Sequence, residues 1–247
     1  MPTKKVRKVR LFERLISDGL AETRESAEGQ ILAGLVRVNG ERVDKAGTSV
    51  SDSDSVVVEG KRAFVGRGAL KLEAAFKHFP ISCQGAACAD VGACTGGFTE
   101  ILLRNGASKV YAIDVGYGDL DWRLRTDPRV VVMERTNARH LQALPEPVAC
   151  VSIDVSFISL KKILPVVTGW LAPNGTVIAL VKPQFEAARE EVGEGGIVRD
   201  PEVHARVIRE ITQLLPTYGL QFRGSEESPI LGGDGNREFL LWSTKAL

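Results

Sequence analysis

Short apolar runs alternate with amphipathic stretches along residues 69–247. The apolar runs predict strands at 87–91, 109–113, 130–133, 148–153, 176–181, near 219–224 and near 237–243. Apolar residues at helical spacing predict helices at 69–79, 97–104, 119–125, 159–171 and roughly 201–215. Strands that alternate with helices form a parallel sheet with helices on both faces. Because the last two strands follow each other directly around a glycine-rich turn, we expect a doubly wound α/β domain of seven strands, mostly parallel, with one antiparallel strand at its far end.

A different pattern precedes this large domain. Residues 9–59 predict two short helices, the second capped by Thr23, and then strands that alternate around Asn39-Gly40. Asn-Gly between alternating residues is a strong signal for a two-residue hairpin turn. A turn at 52–54 and a strand at 56–58 complete this small α+β module. Its helices are predicted to present the apolar side chains of Leu11, Leu15, Ile16, Ala27, Ile31 and Leu32.

These two patterns predict a small domain at residues 1–60, a linker at 61–68 and a large domain at 69–247. A length of 247 residues suits one domain of ordinary size plus a small one. The composition, 44% apolar and 26% charged, is typical of a soluble globular protein. Because no apolar run reaches membrane-spanning length and the basic N-terminus lacks the apolar core of a signal peptide, we expect a cytoplasmic protein without membrane contact.

The four cysteines form no Cys-x-x-Cys pair and have no histidine at zinc spacing. They are Cys83, Cys88, Cys94 and Cys150. We therefore expect reduced thiols and no bound metal.

Positive charge is concentrated near the N-terminus. Residues 1–71 hold fourteen Lys and Arg against ten Asp and Glu, although the whole chain has a net charge of only +1. Beside a small domain, such an excess is typical of nucleic-acid binding, whereas alone it is usually a solvated tail. The candidate RNA-binding residues are Lys4, Lys5, Arg7, Lys8, Arg10, Arg14, Arg24, Arg37 and Arg67.

A glycine-rich stretch at residues 90–99 lies where the first strand of the large domain meets the next helix. Glycines there let backbone N–H groups approach a ligand, and the helix N-terminus favours negative charge. The second strand ends at Asp114, whose carboxylate can bind both hydroxyls of a ribose. The pattern D-x-G-x-x-x-G-G differs from the nicotinamide fingerprint and suits S-adenosylmethionine, with Asp90 as acceptor for the amino group. The alternative is a tight turn that binds nothing.

The candidate cofactor-binding residues are drawn from this turn and from the ends of the next two strands. They are Asp90, Gly92, Ala93, Cys94, Thr95, Gly96, Gly97, Phe98, Asp114, Asn137 and Ala138. Asn137 could equally anchor a loop.

Two charged residues follow predicted apolar strands directly. Asp154 and Lys182 each stand where a strand ends and a polar loop begins, so they are partly desolvated and we expect them to pair. Lys71 and Glu238 could complete a four-residue cluster. Such a cluster suits methyl transfer to a sugar hydroxyl, because a desolvated lysine beside a second ammonium can accept the hydroxyl proton. No metal is needed for this chemistry. For each residue alone, a structural ion pair is the alternative.

Two resemblances add to this picture. Residues 22–27 and 33–40 resemble the small RNA-binding domain first recognised in a ribosomal small-subunit protein, although Phe12 stands where that family commonly has Asp. Over nearly its whole length the chain resembles the TlyA-type family, often labelled hemolysin A, which joins this domain to an FtsJ-like methyltransferase. The matching motifs lie at residues 67–72, 90–99, 112–118, 154–160, 181–186 and 235–239.

The TlyA-type resemblance implies a Rossmann-like, seven-stranded methyltransferase that uses S-adenosylmethionine to methylate a ribose 2′-oxygen in ribosomal RNA. It implies the catalytic tetrad Lys71, Asp154, Lys182 and Glu238, with Lys182 as the base. Lys71 and Glu238 would orient the ribose, and Asp154 the lysine. Cys94 stands where the family usually has Ser; we expect little effect, because the backbone makes the contacts there.

Three other functions remain open from the sequence. One is a catalytically idle RNA-binding or ribosome-assembly factor, although all four tetrad positions are filled. Another is membrane lysis, which the family label suggests but which no spanning segment supports. A nicotinamide-dependent oxidoreductase is disfavoured by the spacing of the glycines. The sequence sets neither the oligomeric state nor the ribosomal subunit that would be the substrate.

Overall fold

The computed structural model describes residues 8–18, 20–21, 23–59 and 64–246. The chain forms two compact units, residues 1–63 and 64–247. The boundary between them falls inside the stretch predicted to be a linker.

The described residues of the small unit form two helices and five short strands. In chain order these are β1 (Lys8–Arg10), α1 (Leu11–Ser17), α2 (Arg24–Leu32), β2 (Val36–Val38), β3 (Glu41–Arg42), β4 (Ser49–Ser51) and β5 (Val56–Val58). Strand β2 lies between β3 and β5 in an antiparallel sheet, and β1 pairs with β4. The pairing of β1 with β4 was not predicted.

Local sequence signals account for most of the small unit. Thr23 caps α2 by accepting a hydrogen bond from Ser26 N at 3.2 Å. Asn39 and Gly40 both have positive φ, 53° and 88°, as a two-residue hairpin turn requires. Two of the apolar side chains predicted on these helices are exposed: Leu32, 73% exposed, is the last residue of α2, and Ile16, 37% exposed, lies near the end of α1.

The large unit alternates strands and helices as the apolar pattern predicts. Its elements are α3 (Gly68–His78), β6 (Ala87–Val91), α4 (Gly97–Arg104), β7 (Lys109–Ile113), α5 (Trp122–Arg125), β8 (Val130–Met133), β9 (Val148–Ile153), α6 (Leu164–Thr168), β10 (Leu171–Val181), α7 (Pro183–Glu186), α8 (Pro201–Leu214), β11 (Leu220–Glu227) and β12 (Phe239–Lys245). Five of the seven strands begin or end at the predicted residue, and four do both.

The seven strands form one sheet in the order β11-β12-β10-β9-β6-β7-β8. Strands β6 to β10 are parallel to one another, and β12 is antiparallel to both of its neighbours. The predicted seven-stranded, mostly parallel α/β fold is confirmed. The antiparallel strand, however, lies between β10 and β11 rather than at the end of the sheet.

Alternate residues of each strand enter two different cores. Ala89, Val91 and Tyr111 pack with α6 and α8 on one face, whereas Cys88 and Val110 pack with α3 and α4 on the other. This alternation is what a pleated strand buried on both sides requires. Within the described ranges, no helix is long and apolar enough to cross a membrane.

Two predicted elements differ from the structure. The helix predicted at 159–171 is a 3-10 turn at Leu160–Lys162 followed by the short helix α6. Strand β10 begins at Leu171, well before the predicted residue 176, and its pairing with β9 shifts register between Leu171 and Thr176. Pro173, Asn174 and Gly175 are residues typical of a turn, so the pattern indicates no strand before residue 176.

Candidate active site

The turn between β6 and α4 contains the glycine-rich sequence. Gly92 has φ of 85°, a conformation that residues with side chains rarely adopt. A Cβ atom on Gly92 would lie only 2.2 Å from the carbonyl oxygen of Asp154. The absence of a side chain at this position therefore lets the turn approach the loop that follows β9.

Asp90 supports this turn from the protein interior. Its side chain is 0% exposed, and its carboxylate accepts hydrogen bonds from Thr99 Oγ1 at 2.7 Å and Ser152 Oγ at 3.1 Å. Burial raises the pKa of Asp90 to about 7, against the opposing effect of the two hydroxyl donors. The expectation that Asp90 accepts a hydrogen bond from the cofactor is thus corrected, because its carboxylate faces α4 and β9.

A cavity of about 380 Å³ opens at the carboxyl ends of β6, β7 and β9. The strand order reverses between β6 and β9, which is where open α/β sheets bind ligands. Apolar side chains of Val91, Ile113 and Ile163 line this first cavity together with polar Asp114 and Asn137. Its size and mixed lining fit an adenosine-containing ligand.

Asp114 holds the glycine-rich turn in place. Its Oδ2 accepts a hydrogen bond from Cys94 N at 2.8 Å, and its Oδ1 accepts one from Gly116 N at 2.7 Å. Each carboxylate oxygen can accept a second hydrogen bond, so ribose hydroxyls can still bind. Asn137 lines the same cavity, and its Oδ1 accepts a hydrogen bond from Arg139 N at 3.1 Å; it therefore faces the cavity and anchors the loop.

Asp154 and Lys182 form an ion pair beside the first cavity. Lys182 Nζ lies 2.6 Å from Asp154 Oδ1 and donates a hydrogen bond to Ser156 Oγ at 3.0 Å. Lys182 follows β10 directly and precedes Pro183, which restricts Lys182 to an extended conformation (φ −111°, ψ 102°). Strand ends and this proline therefore fix where the ammonium lies.

Lys71 and Glu238 form a second, more deeply buried ion pair, with Nζ 2.5 Å from Oε2. Lys71 lies on the inner face of α3, and Glu238, 3% exposed, immediately precedes β12. A second cavity of about 200 Å³ is lined by Arg67, Lys71 and Asp154, so residues of both ion pairs meet there. The two cavities share Gly92, Cys94 and Asp154.

Most residues predicted to bind a cofactor line one of the two cavities. Those that do are Gly92, Ala93, Cys94, Thr95, Gly97, Phe98, Asp114, Asn137 and Ala138. Gly96 does not: a Cβ there would lie 2.2 Å from Leu124 Cδ1, so this glycine lets the turn pack on α5. Among the residues that the structure describes, no group of three or more His, Cys, Asp and Glu could hold a metal ion.

Comparison with known proteins identifies the family. The FtsJ-like methyltransferase family matches residues 64–245, and the S4 domain family matches residues 9–56. The chain belongs to the FtsJ-like methyltransferase family. It is therefore an enzyme of the methyltransferase class, with an S4 domain before its catalytic domain.

Relatives of this methyltransferase share both domains. A Bacillus subtilis protein named "Putative rRNA methyltransferase YqxC" is 50% identical, over 95% of this chain and 85% of its own length. The Mycobacterium tuberculosis protein named "16S/23S rRNA (cytidine-2'-O)-methyltransferase TlyA" is 45% identical, over 96% and 90%. The solved structure described as "Putative hemolysin from Streptococcus thermophilus" is 44% identical, with a TM-score of 0.73, over 98% of this chain and 90% of that one.

Four of the nine predicted RNA-binding residues lie within the S4 match at residues 9–56. Lys4, Lys5 and Arg7 lie outside the described residues. Lys8 and Arg10 are exposed. The guanidinium groups of the other three pair with acidic side chains of the same domain, which lowers the charge they offer to RNA: Arg14 with Asp18, Arg24 with Glu28, and Arg37 with Glu59. Arg67 instead lies in the methyltransferase domain, at the second cavity.

Phe12, where the sequence departs from the S4 pattern, has a defined contact. The guanidinium of Arg24 lies 4.7 Å from the centroid of the Phe12 ring. The helix start is held by Arg10, whose backbone N–H donates to Glu13 Oε2 at 3.1 Å. Phe12 therefore takes part in a cation–π contact between α1 and α2.

Three residues near the site were not predicted to act there. Ser156 contacts Lys182, and Glu186 accepts hydrogen bonds from Ser159 Oγ and Leu160 N, each at 2.6 Å. Burial raises the pKa of Glu186, against the opposing effect of these donors. Asn236 is fully buried; its Oδ1 accepts from Val198 N and its Nδ2 donates to Gly196 O, both at 2.9 Å. All three residues lie within motifs that match the TlyA-type family, and these motifs were the sequence signal that could have indicated them.

Proposed function

We propose that this methyltransferase transfers a methyl group from S-adenosylmethionine to a ribose 2′-oxygen of ribosomal RNA. The observation that carries the proposal is that Lys71 and Asp154, one member of each lysine–carboxylate pair, line the second cavity, directly beside the first cavity, which fits an adenosine ligand. The family and the names of its rRNA-methylating relatives support the substrate class.

The first cavity suits the cofactor. Asp114 would bind the ribose hydroxyls, Asn137 and Ala138 would contact the adenine, and the turn at residues 92–97 would donate backbone N–H groups. Bound there, S-adenosylmethionine supplies a methyl group activated as a sulfonium. The fit of the cavity is independent of the Asp90 carboxylate, which lies in the interior.

The four charged residues divide the remaining work. Lys182, as a neutral amine, accepts the proton of the 2′-hydroxyl while that oxygen attacks the methyl carbon, so the lysine leaves the step as an ammonium. Asp154 holds this amine at the strand end. Lys71, paired with Glu238, faces the second cavity with Arg67 and binds the ribose and its phosphate. Holding the reacting groups together in this way supplies much of the rate enhancement.

The S4 domain suits the recognition of structured RNA. Its family is an RNA-binding one by the resemblance described above, and exposed Lys8 and Arg10 extend the basic N-terminus. Because ribosomal RNA is the proposed substrate, we infer that the enzyme acts in the cytoplasm on ribosomal subunits or their RNA. No metal ion takes part in the proposed reaction.

Methyl transfer from radiolabelled S-adenosylmethionine tests the proposal. Isolated large subunits, small subunits and naked ribosomal RNA would each be incubated with wild type, Lys182→Ala and Lys162→Ala. Lys162 is an exposed lysine outside both cavities, so its variant should label RNA like wild type, whereas Lys182→Ala should lose at least about a hundredfold in rate. Equal labelling by Lys182→Ala would contradict its role as base.

Failure of the wild type would indicate a different function. An enzyme that binds S-adenosylmethionine but labels none of these RNAs would favour the catalytically idle RNA-binding factor. The hemolysin name of the Streptococcus relative calls for a parallel measurement of dye release from liposomes. We expect no release by the pure protein at the concentrations used for methyl transfer.

A further inference from the structure

Lys182 makes two contacts of different kinds. Its Nζ lies 2.6 Å from Asp154 Oδ1, yet this buried oxygen accepts no aligned hydrogen bond. The hydrogen bond with good geometry goes to Ser156 Oγ at 3.0 Å. The ion pair therefore sets how close the ammonium lies to Asp154, whereas Ser156 sets the direction in which one N–H points.

We propose that Ser156 is a positioning residue that aims the lone pair of Lys182 at the substrate hydroxyl. The proposal rests on the proposed function, in which Lys182 is the base. A neutral amine has two N–H groups and one lone pair. When one N–H group points to Ser156 Oγ, rotation about the Cε–Nζ bond is fixed. Two tetrahedral directions then remain for the second N–H and the lone pair; the negative charge of Asp154, 2.6 Å away, favours the N–H on its own side and leaves the other direction for the lone pair. Without Ser156, the amine can rotate about its Cε–Nζ bond, and the lone pair points at the hydroxyl for only part of the time.

The loop that carries Ser156 is fixed to the segment that carries Lys182. Ser159 Oγ and Leu160 N both donate to Glu186, four residues after Lys182, at 2.6 Å. These contacts join the two segments at a second point beyond the Lys182–Ser156 hydrogen bond. The position of Ser156 relative to Lys182 is therefore held by contacts at two points.

The next residue in the loop shows that this arrangement is strained. Phe157 has φ of 62°, which is unusual for a bulky residue, and its ring, 91% exposed, lies 5.2 Å from the Phe185 ring. Such conformations persist where the surroundings hold them, and they are typical of functional sites. Phe185 contacts the Phe157 ring, and Glu186 binds Ser159 and Leu160, so both contacts of this loop are made by the segment that follows Lys182.

The pH dependence of the rate can separate positioning from a merely structural role. Asp154 is the charged group in contact with the amine; the Lys71–Glu238 pair and Asp114 are the other charged groups of the two cavities that Asp154 lines. An ammonium donates a stronger hydrogen bond than a neutral amine. Loss of the Ser156 acceptor therefore disfavours the ammonium and moves the acidic limb of the pH–rate profile to lower pH. A general loss of structure would lower the rate by one factor at every pH.

The experiment compares Ser156→Ala, Ser156→Thr and Ser159→Ala with wild type. For each we would measure kcat and KM for both substrates from pH 6 to 10, and S-adenosylmethionine binding by calorimetry. We expect Ser156→Ala to lose about tenfold in kcat on the alkaline plateau, with a smaller loss at acidic pH and unchanged cofactor affinity. Ser156→Thr keeps a hydroxyl and should recover most of the rate. Ser159→Ala keeps the acceptor of Lys182 and should show a pH-independent loss.

Several outcomes would overturn the proposal. Wild-type kcat in Ser156→Ala at every pH, with Lys182→Ala inactive, would remove Ser156 from the account and leave the proposed function in place. Because Ser156 also lines the first cavity, weakened cofactor binding with unchanged kcat would make it a cofactor-binding residue instead. Activity in Lys182→Ala, or none in the wild type, would overturn the proposed function and this inference with it.

Discussion

Lys182 Nζ lies 2.6 Å from Asp154 Oδ1 where β10 and β9 end, with only 11% and 19% of the two side chains exposed. Each charge is thus largely removed from water and depends on the other. Removal of one partner leaves the other desolvated and unpaired, whereas removal of both does not.

We therefore expect Lys182→Met to lower the free energy of unfolding by on the order of 3 kcal/mol. The double variant Lys182→Met with Asp154→Asn should lose less than the sum of the two single variants. Urea denaturation of all four proteins at pH 7 measures this coupling. Additive losses would show that the two charges do not depend on each other.

The Lys71–Glu238 pair allows a matched comparison on one helix. Glu238 is only 3% exposed, and Lys71→Met would leave its buried carboxylate without a partner. We expect this variant to lower the free energy of unfolding by on the order of 3 kcal/mol. Lys77, also on α3, pairs with Glu73 at the surface, and its side chain is 69% exposed. Lys77→Met should therefore change the stability by less than about 0.5 kcal/mol. Equal effects of the two substitutions on denaturant midpoints would contradict the importance of burial.

Alanine substitutions at Gly92 and Gly118 can separate the effect of steric crowding from the effect of backbone strain. Both have φ near 85°, but a Cβ on Gly92 would lie 2.2 Å from the carbonyl oxygen of Asp154, whereas one on Gly118 would have no atom within 4 Å. Both alanine variants should show a strain cost of roughly 1 kcal/mol. Only Gly92→Ala should also displace the turn from Asp154 and weaken S-adenosylmethionine binding, by at least about tenfold. Calorimetric titration of both variants checks this, and equal affinities would count against the predicted crowding.

Asp90 should make stability depend on pH. The pKa of Asp90 is about 7 in the folded protein, whereas an unfolded aspartate titrates near 4. Between these values only the folded state holds the proton. The stability from this group is therefore complete below about pH 4 and is lost as pH rises through 7. Relative to Asp90→Asn, whose side chain stays neutral, wild type should lose roughly 4 kcal/mol of unfolding free energy between pH 4 and pH 8.

Urea denaturation of wild type and Asp90→Asn across this pH range measures the difference. Two stability profiles that run parallel would mean that Asp90 keeps an ordinary acidity in the folded protein.

Much of the large domain could be predicted because its strands are buried on both faces. Runs such as 87–91 and 148–153 are apolar except for one polar residue each, Asp90 and Ser152, and their ends coincide with the strand ends in the structure. The small domain offers weaker signals. Lys8–Arg10 reads as a basic tail, and its pairing with Ser49–Ser51 depends on a partner about 40 residues away, which no local pattern reveals.

In the site, the positions of residues at strand ends could be predicted, whereas the directions of their side chains could not. Asp154 and Lys182 could be predicted to pair from the sequence, because parallel strands end at the same edge of a sheet. The direction of the Asp90 carboxylate, by contrast, follows from the pleat: Cys88 and Asp90 face α4, while Ala89 and Val91 face the other core. The contacts of Ser156 and Glu186 join loops 26 and 27 residues apart, and loop geometry lies beyond sequence periodicity.

Identification of the methylated atom tests the central claim most directly. Ribosomal RNA labelled by the wild-type enzyme would be digested to nucleosides and analysed by mass spectrometry. The proposed role of Lys182 as base predicts that the label is on the sugar, as a 2′-O-methylnucleoside, and that it is absent with Lys182→Ala. Label on a nucleobase would contradict the account, because the Lys182–Asp154 arrangement would then serve a different acceptor.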